Sequence, residues 1–153
     1  MASFYVGLKV LHVLAAVLWI GAAATVSLMI FPLGRSGDRA RFAAILPAAS
    51  GFLRRVVGPA SGLVLLSGVG MGIVGHTGMP LWVILGLTGV LVHFIFAATV
   101  VRRSWEQLAQ LAAASPPDEA GFVAAVRRAD IAYRYYVLLL VSVVVVMVLK
   151  PTL

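Results

Sequence analysis

The stretch Val6–Phe31, VGLKVLHVLAAVLWIGAAATVSLMIF, decides the fold because its 26 residues exceed the about 20 needed to cross the hydrocarbon core of a bilayer. Three further apolar runs follow, at Val56–Val74, Leu81–Val101 and Val137–Leu149. The last run is shorter, but residues 131–136 extend it with a group of tyrosines. We therefore predict an all-α integral membrane four-helix bundle with up-down-up-down topology. Residues 1–153 form one domain, with spans at about 4–32, 55–75, 80–102 and 131–150.

The composition excludes a soluble domain and several kinds of chemistry. Of the 153 residues, 62% are apolar and 11% charged, and the mean hydropathy is +1.07. The chain has no cysteine, which excludes disulfides, thiolate metal sites and iron–sulfur clusters. No pairing of nucleophile and base and no phosphate-binding glycine loop is evident. If the protein is an enzyme, we expect an oxidoreductase that depends on a cofactor.

The net charge of +7 is a topology signal. Ten arginines fall in the first and third connections or at the ends of the neighbouring spans: Arg35, Arg39, Arg41, Arg54, Arg55, Arg102, Arg103, Arg127, Arg128 and Arg134. The second connection, 75–80, has neither lysine nor arginine. The positive-inside rule then places both termini outside the cytoplasm. This pattern predicts a multi-pass membrane protein, in contact with lipid and without a nucleic-acid partner.

Two histidines lie within membrane-length apolar runs, His12 in the first and His93 in the third. An ionisable side chain at bilayer depth costs roughly 2–3 kcal/mol or more, which makes each a candidate functional residue. With a rise of 1.5 Å per residue, His12 lies about 12 Å and His93 about 16 Å inside the outer boundary. The first and third helices are diagonal neighbours in such a bundle, so they can flank a macrocycle. We predict that both histidines are axial ligands of a haem b iron.

Neighbouring residues support this prediction. Lys9 and Trp19 lie on the His12 face, where Lys9 can pair with a haem propionate and Trp19 can wall the pocket. Small residues on the two histidine faces leave room for a porphyrin: Ala15, Ala16, Gly86, Gly89 and Ala97. The glycine-rich second span forms another wall or serves helix packing. The alternative for each histidine is a buried polar residue bonded to another helix.

Two further motifs lie near the membrane surfaces. His76 and Met79 in the second connection could receive a copper ion on the outer face. Tyr133, Tyr135 and Tyr136 are expected to form an interfacial aromatic belt.

The first span also carries a family resemblance. Its Lys9-Val10-Leu11-His12 and, six residues later, Trp19-Ile20-Gly21 resemble the opening helix of bacterial membrane proteins that include the copper-resistance CopD domain and the HemJ-type protoporphyrinogen oxidases. Leu53–Pro59, leading into a glycine-rich helix, resembles their second span, and Trp82 followed by His93 resembles their third. The resemblance implies four or more helices and a haem b bound through His12 in HemJ-type members. In CopD-type members it implies copper transport. The resemblance also implies a location in a bacterial inner membrane.

Three functions follow as hypotheses. The first is a b-type haem protein that transfers electrons to or from a quinone or porphyrin-like partner, with an open iron site if His93 is not a ligand. The second is a copper-handling, CopD-like transport protein without haem. The third is a structural subunit of a membrane complex, or of a homo-oligomer, that associates through the second span.

Overall fold

The computed structural model describes residues 2–75 and 78–151, and within these ranges every regular element is helical. The helices are α1 (Ala2–Arg35), α2 (Arg39–Phe52), α3 (Gly58–Val74), α4 (Leu81–Phe96), α5 (Arg102–Ala113) and α6 (Glu119–Leu149). A π-helical turn, Leu53–Val57, joins α2 to α3, and a second, Ala97–Val101, joins α4 to α5. Both junctions therefore continue as helix without a loop.

Four of these continuous helical segments are long and apolar enough to cross a membrane: Ala2–Arg35, Arg39–Val74, Leu81–Ala113 and Glu119–Leu149. Their most apolar windows have mean hydropathies between 1.7 and 2.3. The prediction of an all-α, four-helix membrane bundle is confirmed.

Local sequence explains where the helices begin and end. The α1 helix continues through Pro32 to Arg35, and the proline forfeits the hydrogen bond to the residue four before it, one turn from the end of the helix. Gly37, with φ of 79°, then makes the turn, and the Asp38 side chain accepts from the backbone N–H of Arg41 at 3.0 Å to begin α2.

The packing order follows from which helix backbones lie close together. Helix α1 packs against α3 and α6, and α6 also packs against α4 and α5. Spans one and three are therefore diagonal, and they meet through the side chains of Trp19 and His93. Within the described residues the backbones of α3 and α4 are not closely packed, although these helices belong to consecutive spans.

The core lies toward one end of the bundle. We call this the arginine-rich end, because it carries α2, α5 and the arginine-rich connections, and we call the opposite end, where both chain termini lie, the terminal end. Among the described residues, none on the terminal side of Ala15, Ser67, Gly86 or Leu140 is buried in its helix. The fully buried residues that the structure describes therefore lie toward the arginine-rich end, and the described side chains of the terminal half are half-buried or exposed.

Ion pairs and charged hydrogen bonds close the arginine-rich end. Arg39 at the start of α2 donates to the carbonyl oxygens of Ala112 at 3.1 Å and Ala114 at 2.5 Å, both at the end of α5. Its guanidinium also lies 3.5 Å from a carboxylate oxygen of Glu119, the first residue of α6. Charge-assisted bonds of this kind are stronger than neutral ones. One arginine thus connects three helices.

Candidate functional site

His12 is held in one orientation by α3. Its Nδ1 lies 2.9 Å from the Val64 carbonyl oxygen and 3.1 Å from the Ser67 hydroxyl oxygen. Because a carbonyl can only accept, Nδ1 carries the proton and donates it. The Ser67 hydroxyl donates in turn to the carbonyl oxygen of Leu63. The lone pair of His12 is therefore on Nε2, which bonds to no described residue and is not a fully buried atom.

A glycine makes this orientation possible. A Cβ added at Gly68 would lie 3.1 Å from Cε1 and 3.4 Å from Nδ1 of His12, so the imidazole rests directly on the α3 backbone. A Cβ at Gly70 would similarly lie 3.3 Å from Leu8. These two glycines serve close packing of α1 on α3. At Gly62 and Gly72 an added Cβ would meet no atom within 4 Å.

His12 faces the interior of the bundle at the border of its core. It shares a face of α1 with the buried residues Ala15 and Trp19, one and two turns toward the arginine-rich end. The side chain itself is half-buried. Trp19 therefore fills the interior on the arginine-rich side of His12. On its terminal side, no described residue of α1 is fully buried.

His93 has different surroundings, since it is 1% exposed and enclosed by aromatic rings. Its ring centroid lies 4.8 Å from that of Trp19, edge to face, and 4.2 Å from that of Tyr136. The Trp19 Nε1–H donates to the Tyr136 hydroxyl oxygen at 3.1 Å, which joins the two rings. Both nitrogens of His93 are buried and have no hydrogen-bond partner among the described residues. An unpaired buried polar group costs about 1–3 kcal/mol, so this one requires a physical explanation.

The structure does not bring the two histidines together. His93 contacts Trp19, which is seven residues beyond His12, a separation of about 10 Å along the α1 axis. The room expected beside His93 at Gly86 and Gly89 is taken by α6, because Met147 and Val143 lie where their Cβ atoms would be. The sequence could not reveal this, since the rotation of α4 about its axis depends on its partner. Ligation of a single iron by both histidines stays a prediction that this arrangement does not favour.

The other predicted site residues are placed as follows. Lys9 is exposed and has no side-chain partner among the described residues. Trp19 is 3% exposed and lines the interior as expected of a pocket wall. His76 lies outside the described residues, and Met79 is 63% exposed. In the described ranges no three His, Asp or Glu side chains form a group that could hold a metal ion.

The expected belt of tyrosines is wrong for two of its three members. Tyr135 is 63% exposed, as a belt residue would be, but Tyr133 and Tyr136 are 2% and 4% exposed and face the core. Their spacing of three residues puts them on one helical face, and this was the signal that the sequence offered. Sequence reasoning also missed Asp130, whose buried carboxylate pairs with Arg35 at 2.5 Å and with Arg134 at 3.1 Å.

The fold and the apolar spans define an integral membrane protein of four transmembrane helices. A family model described as "Predicted integral membrane protein (DUF2269)" matches residues 6–151, and the chain belongs to this family. No curated protein and no solved structure matches the chain. The family match supports a multi-pass membrane protein and does not extend to the CopD domain or the HemJ-type oxidases, so that resemblance stays a prediction.

Proposed function

We propose that this protein is a membrane-embedded haem b protein in which His12 is the only protein ligand of the iron. The observation that carries the proposal is the bond from His12 Nδ1 to the Val64 carbonyl oxygen at 2.9 Å. Histidines that bind metals commonly donate their second nitrogen to a carbonyl or carboxylate, which fixes the tautomer and orients the ring. The same bond leaves the Nε2 lone pair of His12 without a partner among the described residues.

The surroundings of His12 support a flat apolar ligand. On the terminal side of His12 no described residue of the four spans is fully buried, and the backbones of α3 and α4 are not closely packed there. On the arginine-rich side of His12, the buried side chain of Trp19 fills the interior of the bundle. Lys9 is one turn closer to the terminal end and unpaired, so its ammonium group is available to a propionate. These residues would bind and orient the group, and iron porphyrin would supply one-electron redox chemistry there.

We do not assign His93 as a ligand. Its nitrogens bond to no described residue, but the rings of Trp19 and Tyr136 pack against the imidazole, which is 1% exposed and leaves no room for a macrocycle beside it. A single histidine ligand leaves one coordination position of the iron open. The proposed role is therefore redox chemistry with a small molecule or with a quinone or porphyrin-like partner from the bilayer.

The proposal is tested with a matched pair of variants, His12→Gln and His93→Gln, purified in detergent after expression with ample haem. We expect the wild type to show a Soret band. His12→Gln should bind haem at least about tenfold more weakly, because it loses the iron ligand, and His93→Gln should retain the band. Equilibrium unfolding of each variant separates loss of haem from loss of fold.

The other outcomes contradict the proposal in distinct ways. Loss of haem in both variants, with the fold intact, would support bis-histidine ligation instead. A colourless wild type would contradict haem binding altogether. Copper titration of that colourless protein, followed by electron paramagnetic resonance, would then test the copper-handling hypothesis.

A further inference from the structure

The unpaired buried polar atoms of the described chain are concentrated in one place. They are four in number: Nδ1 and Nε2 of His93, Nε1 of Trp105 and the hydroxyl oxygen of Tyr133. Native proteins leave few such atoms unpaired, and those that remain commonly bind internal water or take part in proton transfer. Their concentration therefore identifies a functional feature of the core, distinct from the space around His12.

The three residues belong to one chain of neighbouring rings. The centroid of Trp105 lies 6.5 Å from that of Tyr133, Tyr133 lies 5.1 Å from Tyr136, and Tyr136 lies 4.2 Å from His93. We call these four residues the aromatic chain. Its two tyrosines are one helical turn apart on α6, so their hydroxyl groups are at successive depths. The aromatic chain extends from the arginine-rich end to the middle of the bundle.

A charged cluster stands at the arginine-rich end of the aromatic chain. Asp130 precedes Tyr133 by three residues on α6, and its side chain is 8% exposed. Its two partners, Arg35 and Arg134, have side chains 46% and 61% exposed. The cluster therefore connects the buried carboxylate to solvent at this end. The positive-inside rule assigns this end to the cytoplasm.

We propose that ordered water enters at the Asp130 cluster and, with the hydroxyl groups of Tyr133 and Tyr136, forms a proton path that ends at His93. Water is the ligand whose chemistry fits, since it both donates and accepts and is small enough for an interior lined by rings. Ionisable residues inside membrane bundles mark such proton relays. Histidine is suited to be the end of a path, because its unprotonated ring nitrogen can accept a proton and release it again.

The transfer balances without a redox partner. Each tyrosine hydroxyl accepts one proton from the arginine-rich side and gives one onward, and so ends unchanged. His93 receives the proton on the lone pair of its unprotonated nitrogen and becomes an imidazolium. The positive charge that it gains is the one that the solvent at the arginine-rich end loses. This proposal does not require haem.

The groups around His93 allow only two directions of approach. No other titratable residue occurs in α4, and none occurs in α1 between His12 and Arg35. On α6 the nearest titratable group is Tyr136, followed by Tyr133 and then by Asp130 with Arg134. A proton reaches His93 either along these α6 residues or from the terminal end past His12. The experiment distinguishes the two.

The test uses the protein without haem in lipid nanodiscs, with all histidines labelled with ¹⁵N. The chain has three histidines, so the spectrum has few imidazole signals, and His12→Gln and His93→Gln assign them. The measured quantity is the exchange rate of the His93 ring N–H with solvent. We expect exchange in the intact membrane protein, slowed about tenfold by Tyr133→Phe, since removal of one hydroxyl interrupts the path. Tyr135→Phe is the matched control, because Tyr135 is exposed and outside the aromatic chain.

Two results would overturn the proposal. The first is a His93 ring N–H that does not exchange with solvent at any pH between about 5 and 9. That interval includes the pH at which an accessible histidine changes charge. The second is a rate slowed by His12→Gln and unchanged by Tyr133→Phe, since the proton would then come from the terminal end. Tyr133→Phe keeps the buried ring, so we expect the fold to persist. The backbone ¹⁵N signals of the labelled histidines in the same samples report whether it does.

Discussion

Substitution of Gly68 by alanine tests how His12 is seated on α3. The added Cβ would lie 3.1 Å from Cε1 and 3.4 Å from Nδ1 of His12, closer than the 3.5–4.0 Å at which carbon atoms pack best. The imidazole must shift by a few tenths of an ångström, which lengthens its 2.9 Å bond to the Val64 carbonyl oxygen. Gly72→Ala is the matched control, because its Cβ meets nothing within 4 Å on the same helix.

The two substitutions should differ in sign. Overpacking costs typically 1–3 kcal/mol, and replacement of a helical glycine by alanine returns roughly 0.5–1 kcal/mol. We expect Gly68→Ala to lower the free energy of unfolding by about 1–2 kcal/mol and Gly72→Ala to raise it by about 0.5–1 kcal/mol. The assay is equilibrium unfolding in mixed detergent micelles followed by far-ultraviolet circular dichroism. A Gly68→Ala protein as stable as Gly72→Ala would refute the close contact between His12 and α3.

Two further substitutions test contacts of the core with the same assay. Arg39→Met should lower the free energy of unfolding by about 2 kcal/mol, because buried carbonyl groups lose a charged donor, whereas Arg41→Met at an exposed position should change it little. Equal effects would contradict the role given to Arg39. Tyr136→Phe should cost about 1–3 kcal/mol, because the buried Trp19 N–H loses its acceptor, and Tyr135→Phe should be nearly neutral. A neutral Tyr136→Phe would show that the indole finds another partner.

The class of fold could be predicted from the sequence because bilayer thickness sets it. Twenty apolar residues in a row have few alternatives to a membrane-spanning helix, and the arginine-rich first and third connections mark where two pairs of spans are divided. The continuity of α2 with α3 was not predictable in the same way. Leu53–Val57 continues the helix as a π-helical turn, and no loop residues interrupt the segment Arg39–Val74.

The candidate site could be predicted only in part, because its geometry depends on how each helix is rotated and shifted against the others. His12 and Trp19 belong to the same helix, so their spacing of seven residues placed both on the interior face. The position of His93 depended on another helix, whose packing places the His93 ring against Trp19. The three tyrosines show the same limitation, because a position near a membrane surface does not determine which of the rings faces the core. The burial of Asp130 also depends on partners from other parts of the fold, since Arg35 of α1 and Arg134 of α6 pair with its carboxylate.

The most direct test of the central claim is the binding of carbon monoxide to the reduced, haem-loaded protein, followed by visible absorption. With His12 as the only protein ligand, the account predicts a high-spin reduced spectrum that shifts on addition of carbon monoxide, in the wild type and equally in His93→Gln. A low-spin reduced spectrum that does not respond to carbon monoxide, and that becomes responsive in His93→Gln, would contradict the account and show that both histidines bind the iron.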